Sequence, residues 1–315
     1  VFFAVPRVWE KMREKLLEVS RSLSSVQRKI SAWAKSKGSA RSRVLQHGDE
    51  GGTIPCGFGC AHSMVLKKIK AALGLSDARV CFTGAAPIAV DVLEYFASLD
   101  IPIFELYGQS ECTGPHTTNS SAAWKVGTCG RPLEGTQTRI HEGEVQIKGR
   151  HVCLGYRNIP ESDAWTADGW LRTGDLGEID ADGFLRLTGR LKELIITAGG
   201  ENVPPVLIEE VVMREMPKLT GCMVVGDRQK YLALLVTCGE SFPQTEKGEQ
   251  DLASYVEAGL ARVNEQATSR AQTLKRWARL ESEFSVETGE LTPTLKLKRK
   301  KVVEKNADII AQLYA

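Results

Sequence analysis

The stretch Gly169–Asn202, GWLRTGDLGEIDADGFLRLTGRLKELIITAGGEN, decides how this chain is to be read. It sets an Arg-Thr-Gly-Asp turn (Arg172, Thr173, Gly174, Asp175) ahead of a strand-turn-strand pattern. A Gly-Arg-x-Lys joint (Gly189, Arg190, Lys192) and the pair Gly199-Gly200 follow. An acid on a short turn can accept from two sugar hydroxyls, and a guanidinium donates to phosphate in a planar fork. The Asp-Gly pairs at 168–169 and 182–183 alone would describe only a surface hairpin with solvated charges. What changes the reading is the order of the elements around them.

Outward from that stretch, 315 residues leave room for two domains. With 42% hydrophobic and 25% charged residues, the composition is that of an ordinary globular protein with material for a core. A formal charge of +2, without interleaved aromatic and basic residues, gives no footing for nucleic acid. The eight cysteines are scattered, as free thiols in a reducing compartment would be. The one cluster, Cys56-Gly-Phe-Gly-Cys60-Ala-His62, lacks a nearby fourth ligand for a metal. No run approaches the roughly 18 apolar residues of a membrane-spanning helix. A cytoplasmic location is therefore expected, with peripheral attachment to the endoplasmic reticulum or another membrane left open and the oligomeric state unknown. The chain opens on Val1-Phe2-Phe3-Ala4-Val5 without a Met, which resembles a buried strand caught inside a domain and predicts a fragment.

Pro6 suits a first helical turn, and Val8, Trp9, Met12, Leu16 and Val19 recur at helical spacing. That helix is expected to continue, with interruptions, to about Trp33. Residues 36–62 are rich in Ser, Gly and Arg and predict a loop or irregular insertion. A helix over 64–73 should end at Gly74. Strand and helix signals then alternate, with strands at 79–82 and 101–106 around a helix at 89–99, which predicts an α/β layer with ligands at strand carboxyl ends. From 127 to 190 a small β-rich subdomain is expected. Beyond Lys192, a helix at 206–216, strands at 221–225 and 231–236 and a helix-rich stretch at 250–282 describe a compact α+β domain.

Four separated pieces carry chemistry. Thr83-Gly84-Ala85-Ala86-Pro87 ends a strand with small residues, where backbone can approach a flat ring. A plain strand-to-helix turn would look the same. Tyr107-Gly108-Gln109-Ser110-Glu111 offers an aromatic face, a hydroxyl and a carboxylate, suited to a purine, a phosphate oxygen and a magnesium ion. The opening stretch is the third piece. The fourth, Glu290-Leu-Thr-Pro-Thr-Leu-Lys296-Leu-Lys-Arg299, puts a lysine on a loop where it could neutralise charge developing on a phosphate. By position alone Lys296 does not differ from Lys298, Lys300 or Lys301.

In this order the four pieces resemble the motifs of the adenylate-forming superfamily, which includes acyl-CoA synthetases, peptide-synthetase adenylation domains and luciferases. The resemblance implies adenine stacking by Tyr107 within a nucleotide site that includes Gly84, Ala85, Ala86, Gly108 and Ser110. It implies magnesium contact by Glu111, ribose binding by Asp175, and ribose and phosphate contact by Arg190. Lys192 falls on the hinge between domains, and Lys296 on the lysine that contacts the reacting carboxylate and α-phosphate. Gly199 and Gly200 are expected to line the pantetheine path of CoA. Val5-Pro-Arg-Val-Trp-Glu-Lys11 is similar to a segment of long-chain fatty acyl-CoA synthetases, and Ile195–Pro205 and Ser110–Thr117 look like the bubblegum branch.

The implied fold is α/β plus α+β: an incomplete adenylating domain over 1–191 and a mobile C-terminal lid over 192–315. The implied activity is long-chain fatty acid–CoA ligation with ATP, Mg2+ and CoA. Alternatives are a ligase for another carboxylic acid, or a noncatalytic nucleotide-binding fragment. The family's phosphate loop is not among these residues, and Gly51-Gly52-Thr53 lacks the hydroxyls and lysine to replace it. The isolated chain is accordingly expected to be inactive or weakly active. Leu295 stands where relatives acting on shorter acids often carry a small residue.

Overall fold

The computed structural model describes residues 1–46, 53–159, 163–292 and 296–315. They form two compact units: Val1–Thr173 with Gly177–Leu187, and Gly174–Leu176 with Thr188–Ala315.

The first unit begins with strand β1 (Phe2–Ala4), helix α1 (Pro6–Ser22) and helix α2 (Ser25–Leu45). Pro6 occupies the first turn of α1, where its missing N–H costs nothing. Trp9, fully buried, meets Phe2 and Phe96 edge-on at 5.2 and 5.1 Å. The break before α2 is set by a capping box: Gln27 N–H donates to Ser24 Oγ, and Ser24 N–H to Gln27 Oε1.

The expected loop over 36–62 is corrected here, because α2 continues to Leu45 and helix resumes at Phe58. Its small residues are a packing surface rather than a break. A β-carbon on Gly38 would stand 2.0 Å from the Ser98 carbonyl oxygen, so glycine is what lets α2 approach so closely. Residues 47–52 of that stretch lie outside the described ones. Helix α3 (Phe58–Ala61), a π turn (His62–Leu66) and α4 (Lys67–Ala72) run on as one rod that stops before Gly74, whose φ is +70°.

Strand β2 (Cys81–Thr83), helix α5 (Val90–Ser98), β3 (Ile103–Gln109), β4 (Gly114–Thr118) and β5 (Arg131–Pro132) follow. The sheet order is β1-β2-β3-β4-β5; the first three strands are parallel and the last two antiparallel. Parallel pairing requires helical crossovers, which α1–α4 and α5 supply.

A second sheet, in the order β6-β7-β8-β9, comprises β6 (Thr136–His141), β7 (Glu144–Gly149), β8 (Leu171–Ile179) and β9 (Leu185–Arg190). Glu142 and Gly143, both at positive φ, close the β6–β7 hairpin in two residues. The Arg172–Asp175 string is not a turn before a strand, as expected, but lies within β8. Thr173 Oγ1 donates to the Val145 carbonyl at 2.6 Å, and Gly177 lies where a β-carbon would stand 2.7 Å from Arg186 O. Pairing on both sides overrides the turn preference of Thr-Gly-Asp.

The second unit contains β10 (Ile195–Ile196), β11 (Asn202–Val203), α6 (Pro205–Glu215), β12 (Gly221–Val225), β13 (Leu232–Thr237), α7 (Glu246–Glu265), β14 (Leu274–Arg279), α8 (Arg299–Lys305) and α9 (Ala307–Tyr314). β13 is central, antiparallel to β12 and parallel to β14. Leu232, Leu234 and Val236 join the core under α6 and α7, while Ala233 and Leu235 join the one under α8 and α9. Two buried faces explain why this strand is apolar throughout instead of alternating. The helix-rich reading of 250–282 is corrected at its end, where 274–279 is an edge strand whose exposed Lys275 and Arg276 hid it in a polar run. No helix of the described residues is long and apolar enough to cross a membrane.

Candidate active site

In the first unit the parallel strands β2 and β3 end side by side, with Thr83 paired to Glu105. Gly84 follows β2 directly; a β-carbon there would come within 2.6 Å of Leu106 Cδ1, so this glycine serves the packing of neighbouring chain. Ala85 holds φ at +70°, a left-handed conformation that costs a non-glycine residue free energy. Thr83 Oγ1 is buried with no hydrogen-bond partner among the described residues. An orphaned hydroxyl beside strained backbone at a strand end is what a polar ligand would repay.

Tyr107 on β3 is only 7% exposed and packs with Cys112, Val145, Ile147, Leu171 and Leu185. Its ring is chiefly a wall of that cluster. At Gly108 the β3–β4 register shifts, and a β-carbon would meet Gly114 O at 1.9 Å. The hairpin then turns through a 3-10 segment, Ser110–Cys112, with Thr113 left-handed behind it. The Cys112 thiol is stitched into the turn: it accepts from Gln109 N–H at 3.2 Å and donates to Gly114 O at 3.1 Å. Burial pushes this thiol's pKa up, keeping it a neutral spacer. Ser110 is left exposed and Glu111 half-buried.

Three residues that the sequence did not single out gather at this turn. Tyr156 donates its phenol proton to Glu111 Oε1 at 2.7 Å, and this bond, chiefly, raises the phenol's pKa to about 12. His116 and His151 stack with 5.1 Å between ring centroids and 6° between planes, and their Nδ1 and Nε2 atoms stand 3.0 Å apart. Burial first, and His151 second, lower the pKa of His116 to about 4. The pair is therefore neutral near pH 7. Nothing local in the sequence marks these residues, because their partners lie 35 to 45 positions away.

Asp175, Arg190, Lys192, Gly199, Gly200 and Lys296 belong to the second unit. Asp175 on β8 is buried, and Arg190 Nε at the end of β9 stands 2.7 Å from its Oδ1. Lys192 lies exposed in the next 3-10 turn, Leu191–Glu193. Gly199 and Gly200 form the β10–β11 turn, closed by Gly200 N–H to Thr197 O at 2.8 Å and Thr197 N–H to Glu201 O at 3.1 Å. Gly200 has φ +82°, whereas a β-carbon on Gly199 meets only Thr197 Oγ1, at 3.7 Å.

Lys296 sits half-buried at the foot of a hairpin. Thr292 N–H donates to Lys296 O at 2.8 Å, Lys296 N–H to Thr292 Oγ1 at 2.9 Å, and Leu291 bridges Leu297. Residues 293–295, Leu295 among them, lie outside the described ones. Behind the hairpin, Glu290 is 1% exposed and takes a 3.2 Å ion pair from Lys305. Ahead of it, Arg299 forks onto Glu209 from Nη1 (2.7 Å) and Nη2, and reaches Glu193 from Nε at 3.4 Å. These anchors fix the lysine's backbone from both sides. Burial lowers the Lys296 pKa, the Arg190 charge lowers it further, and Asp175 and Glu193 oppose both. Lys296 is half-buried where Lys298, Lys300 and Lys301 are exposed, a difference that sequence alone did not show.

Among the described residues no group of three or more His, Cys, Asp and Glu side chains could cage a metal ion. A single carboxylate beside a serine hydroxyl suits instead a magnesium ion that arrives with phosphate oxygens of its own.

The AMP-binding enzyme family matches residues 1–157, and the AMP-binding enzyme C-terminal domain matches residues 192–315. The chain belongs to this adenylate-forming family. It is 42% identical over 353 aligned residues to long-chain-fatty-acid–CoA ligase ACSBG2 of Gallus gallus, covering 100% of this chain and 46% of that protein. It is 38% identical to the ligase ACSBG1 of Bos taurus, covering 98% and 48%. The chain thus spans about half the length of the curated relatives it matches. Among solved structures, the A-PCP didomain of carboxylic acid reductase from Segniliparus rugosus in complex with AMP shares the fold. Its TM-score is 0.66 at 19% identity, over all of this chain and 41% of that one. O-succinylbenzoate coenzyme A synthetase (MenE) from Bacillus subtilis, in complex with ATP and magnesium ion, matches at TM-score 0.55 and 25% identity, over 74% of this chain and 49% of that one.

Proposed function

We propose that this chain carries the ribose-binding, hinge and lysine elements of a long-chain fatty acid–CoA ligase that works through an acyl-adenylate. The single observation that carries the reading is the placement of Asp175, Arg190 and Lys296 in one compact unit, with Arg190 Nε 2.7 Å from Asp175 Oδ1.

In the first step a fatty carboxylate attacks the α-phosphate of ATP and pyrophosphate leaves, giving a mixed anhydride. Asp175 accepts from the ribose hydroxyls, Arg190 donates to the ribose and phosphate region, and Lys296 offsets charge at the reacting carboxylate and α-phosphate. Glu111 would hold magnesium, which supplies neutralisation of phosphate charge. In the second step the residues 192–315 reorient about Lys192, CoA sulfur attacks the acyl carbonyl, and AMP leaves. Long-chain acids are the proposed substrates because the relatives ACSBG2 and ACSBG1 are named for them.

The deciding experiment measures acid-dependent pyrophosphate exchange in the full-length protein that carries this chain, across short, aromatic, long and very long acids. Exchange that peaks at long-chain acids and vanishes in Lys296→Ala is expected. Exchange indifferent to Lys296, or greatest with a short or aromatic acid, would overturn the reading.

A further inference from the structure

Four polar contacts tie the turn Ser110–His116 to the segment 151–156. Thr113 Oγ1 donates to His151 O at 2.7 Å, and His116 Nδ1 meets His151 Nε2 at 3.0 Å. Cys153 N–H donates to Glu111 O at 2.7 Å, and Tyr156 OH donates to Glu111 Oε1 at 2.7 Å. The first three hold backbone and rings in place. Only the last touches a side chain to which the reaction assigns work.

Tyr156 is 40% exposed, and its ring rests edge-on against Trp165 at 5.3 Å. The contact with Trp165 accounts for the seat of the ring, but not for the aim of the phenol at a carboxylate 45 positions away. A glutamate has three rotatable bonds, and left half-exposed it would sample many orientations. Magnesium asks for near-ideal octahedral geometry, so a carboxylate already oriented binds it better than one that must be ordered on arrival.

We propose that Tyr156 is a positioning residue: the strap 151–156 fixes the chain path of Glu111, and the Tyr156 phenol fixes its carboxylate for the magnesium of the bound nucleotide. This inference rests on the reading of Glu111 as the magnesium contact. Partners that orient a metal ligand without touching the metal commonly contribute about 10–100-fold in metal affinity. At a half-exposed single carboxylate the lower end of that range is expected.

The test uses the full-length protein carrying this chain, with Tyr156→Phe and Glu111→Gln beside the unaltered protein. Binding of a fluorescent ATP analogue is titrated with free Mg2+, AMP binding is measured in EDTA, and thermal melting is recorded. Tyr156→Phe should raise the half-saturating Mg2+ about tenfold, leave AMP binding in EDTA and the melting temperature unchanged, and recover its pyrophosphate exchange as Mg2+ is raised. A Mg2+ curve superimposable on that of the unaltered protein sinks the inference, as does an equal loss of AMP binding in EDTA. If Glu111→Gln loses the Mg2+ response while Tyr156→Phe keeps it, the positioning role alone fails. If Glu111→Gln keeps the full response, the assignment of Glu111 fails and the role of Tyr156 with it.

Discussion

Arg190 brings its Nε to 2.7 Å from Oδ1 of Asp175, yet the two side chains live in different surroundings: the acid is 5% exposed and the guanidinium 53%. The buried partner is held by its surroundings, while water reaches the exposed one. This asymmetry makes the two truncations unequal. Asp175→Ala leaves a guanidinium that water can solvate, whereas Arg190→Ala removes a counter-charge from a buried carboxylate. Arg190→Ala is expected to cost about 1–3 kcal/mol more of unfolding free energy. Urea titrations of the two variants check this, and equal costs would show that the pair is no more than a surface contact.

The alkaline limb of adenylation should lie below that of an ordinary lysine, whose pKa is 10.5, because burial and Arg190 both lower the Lys296 value. The ammonium proposed to act in adenylation is lost as pH rises through the lowered pKa, so the limb moves toward neutrality. Arg190→Gln removes one lowering charge and should move the limb back up; Asp175→Asn removes a raising charge and should move it down. Pyrophosphate exchange across pH 7–11 reads both shifts from limb position, whatever the change in maximum rate. A limb that ignores both substitutions would detach Lys296 from this neighbourhood.

His116 takes up its proton near pH 4 when folded and near its ordinary 6.5 when unfolded. The unfolded chain therefore binds more protons in between, and stability falls as pH drops through that window. The shift corresponds to about 3 kcal/mol, fully present above pH 6.5 and lost below 4. Comparing His116→Phe with the unaltered chain in urea at pH 7 and at pH 4.5 isolates this contribution. The variant should lose less stability on acidification, and parallel losses would refute the buried neutral pair.

The expected pantetheine path can be tested at Gly199, because Gly200 answers to a turn requirement instead. Gly200 has φ +82°, so any side chain there strains the backbone. Gly199 has room for a β-carbon. Gly199→Leu should therefore slow transfer from acyl-AMP to CoA about tenfold or more, as obstruction of a substrate path costs orientation, while leaving pyrophosphate exchange intact. Loss of both half-reactions, or of neither, would remove Gly199 from the pantetheine path.

Much of the fold was legible where local pattern and final environment agree. The Asp-Gly turns, the glycine ending the 58–72 helical rod, and the strands at 221–225 and 232–237 fall where their residues predict. The misses share a cause: a tertiary partner reversed the local meaning of a residue. Gly38 and its small neighbours imitate a loop until α5 is set against them, and only then do they describe a close helix contact. Lys275 and Arg276 imitate a helix surface until β13 pairs with their strand. Thr173-Gly174-Asp175 imitates a turn until β7 captures Thr173.

The sequence by itself determined the family, the α/β and α+β texture, and the residue types suited to a ribose, a phosphate and a reacting carboxylate, since motif order and spacing are properties of the chain alone. Only the tertiary structure decided that Arg190 rests on Asp175, that Lys296 shares their field, and that Tyr156 holds Glu111. Those relations join residues 15 to 121 positions apart, and a one-dimensional pattern carries no distance between such residues until burial and strand pairing fix it. The stretch from Gly169 to Asn202 names the chemistry; the folding of β8 against β9 gives it a geometry.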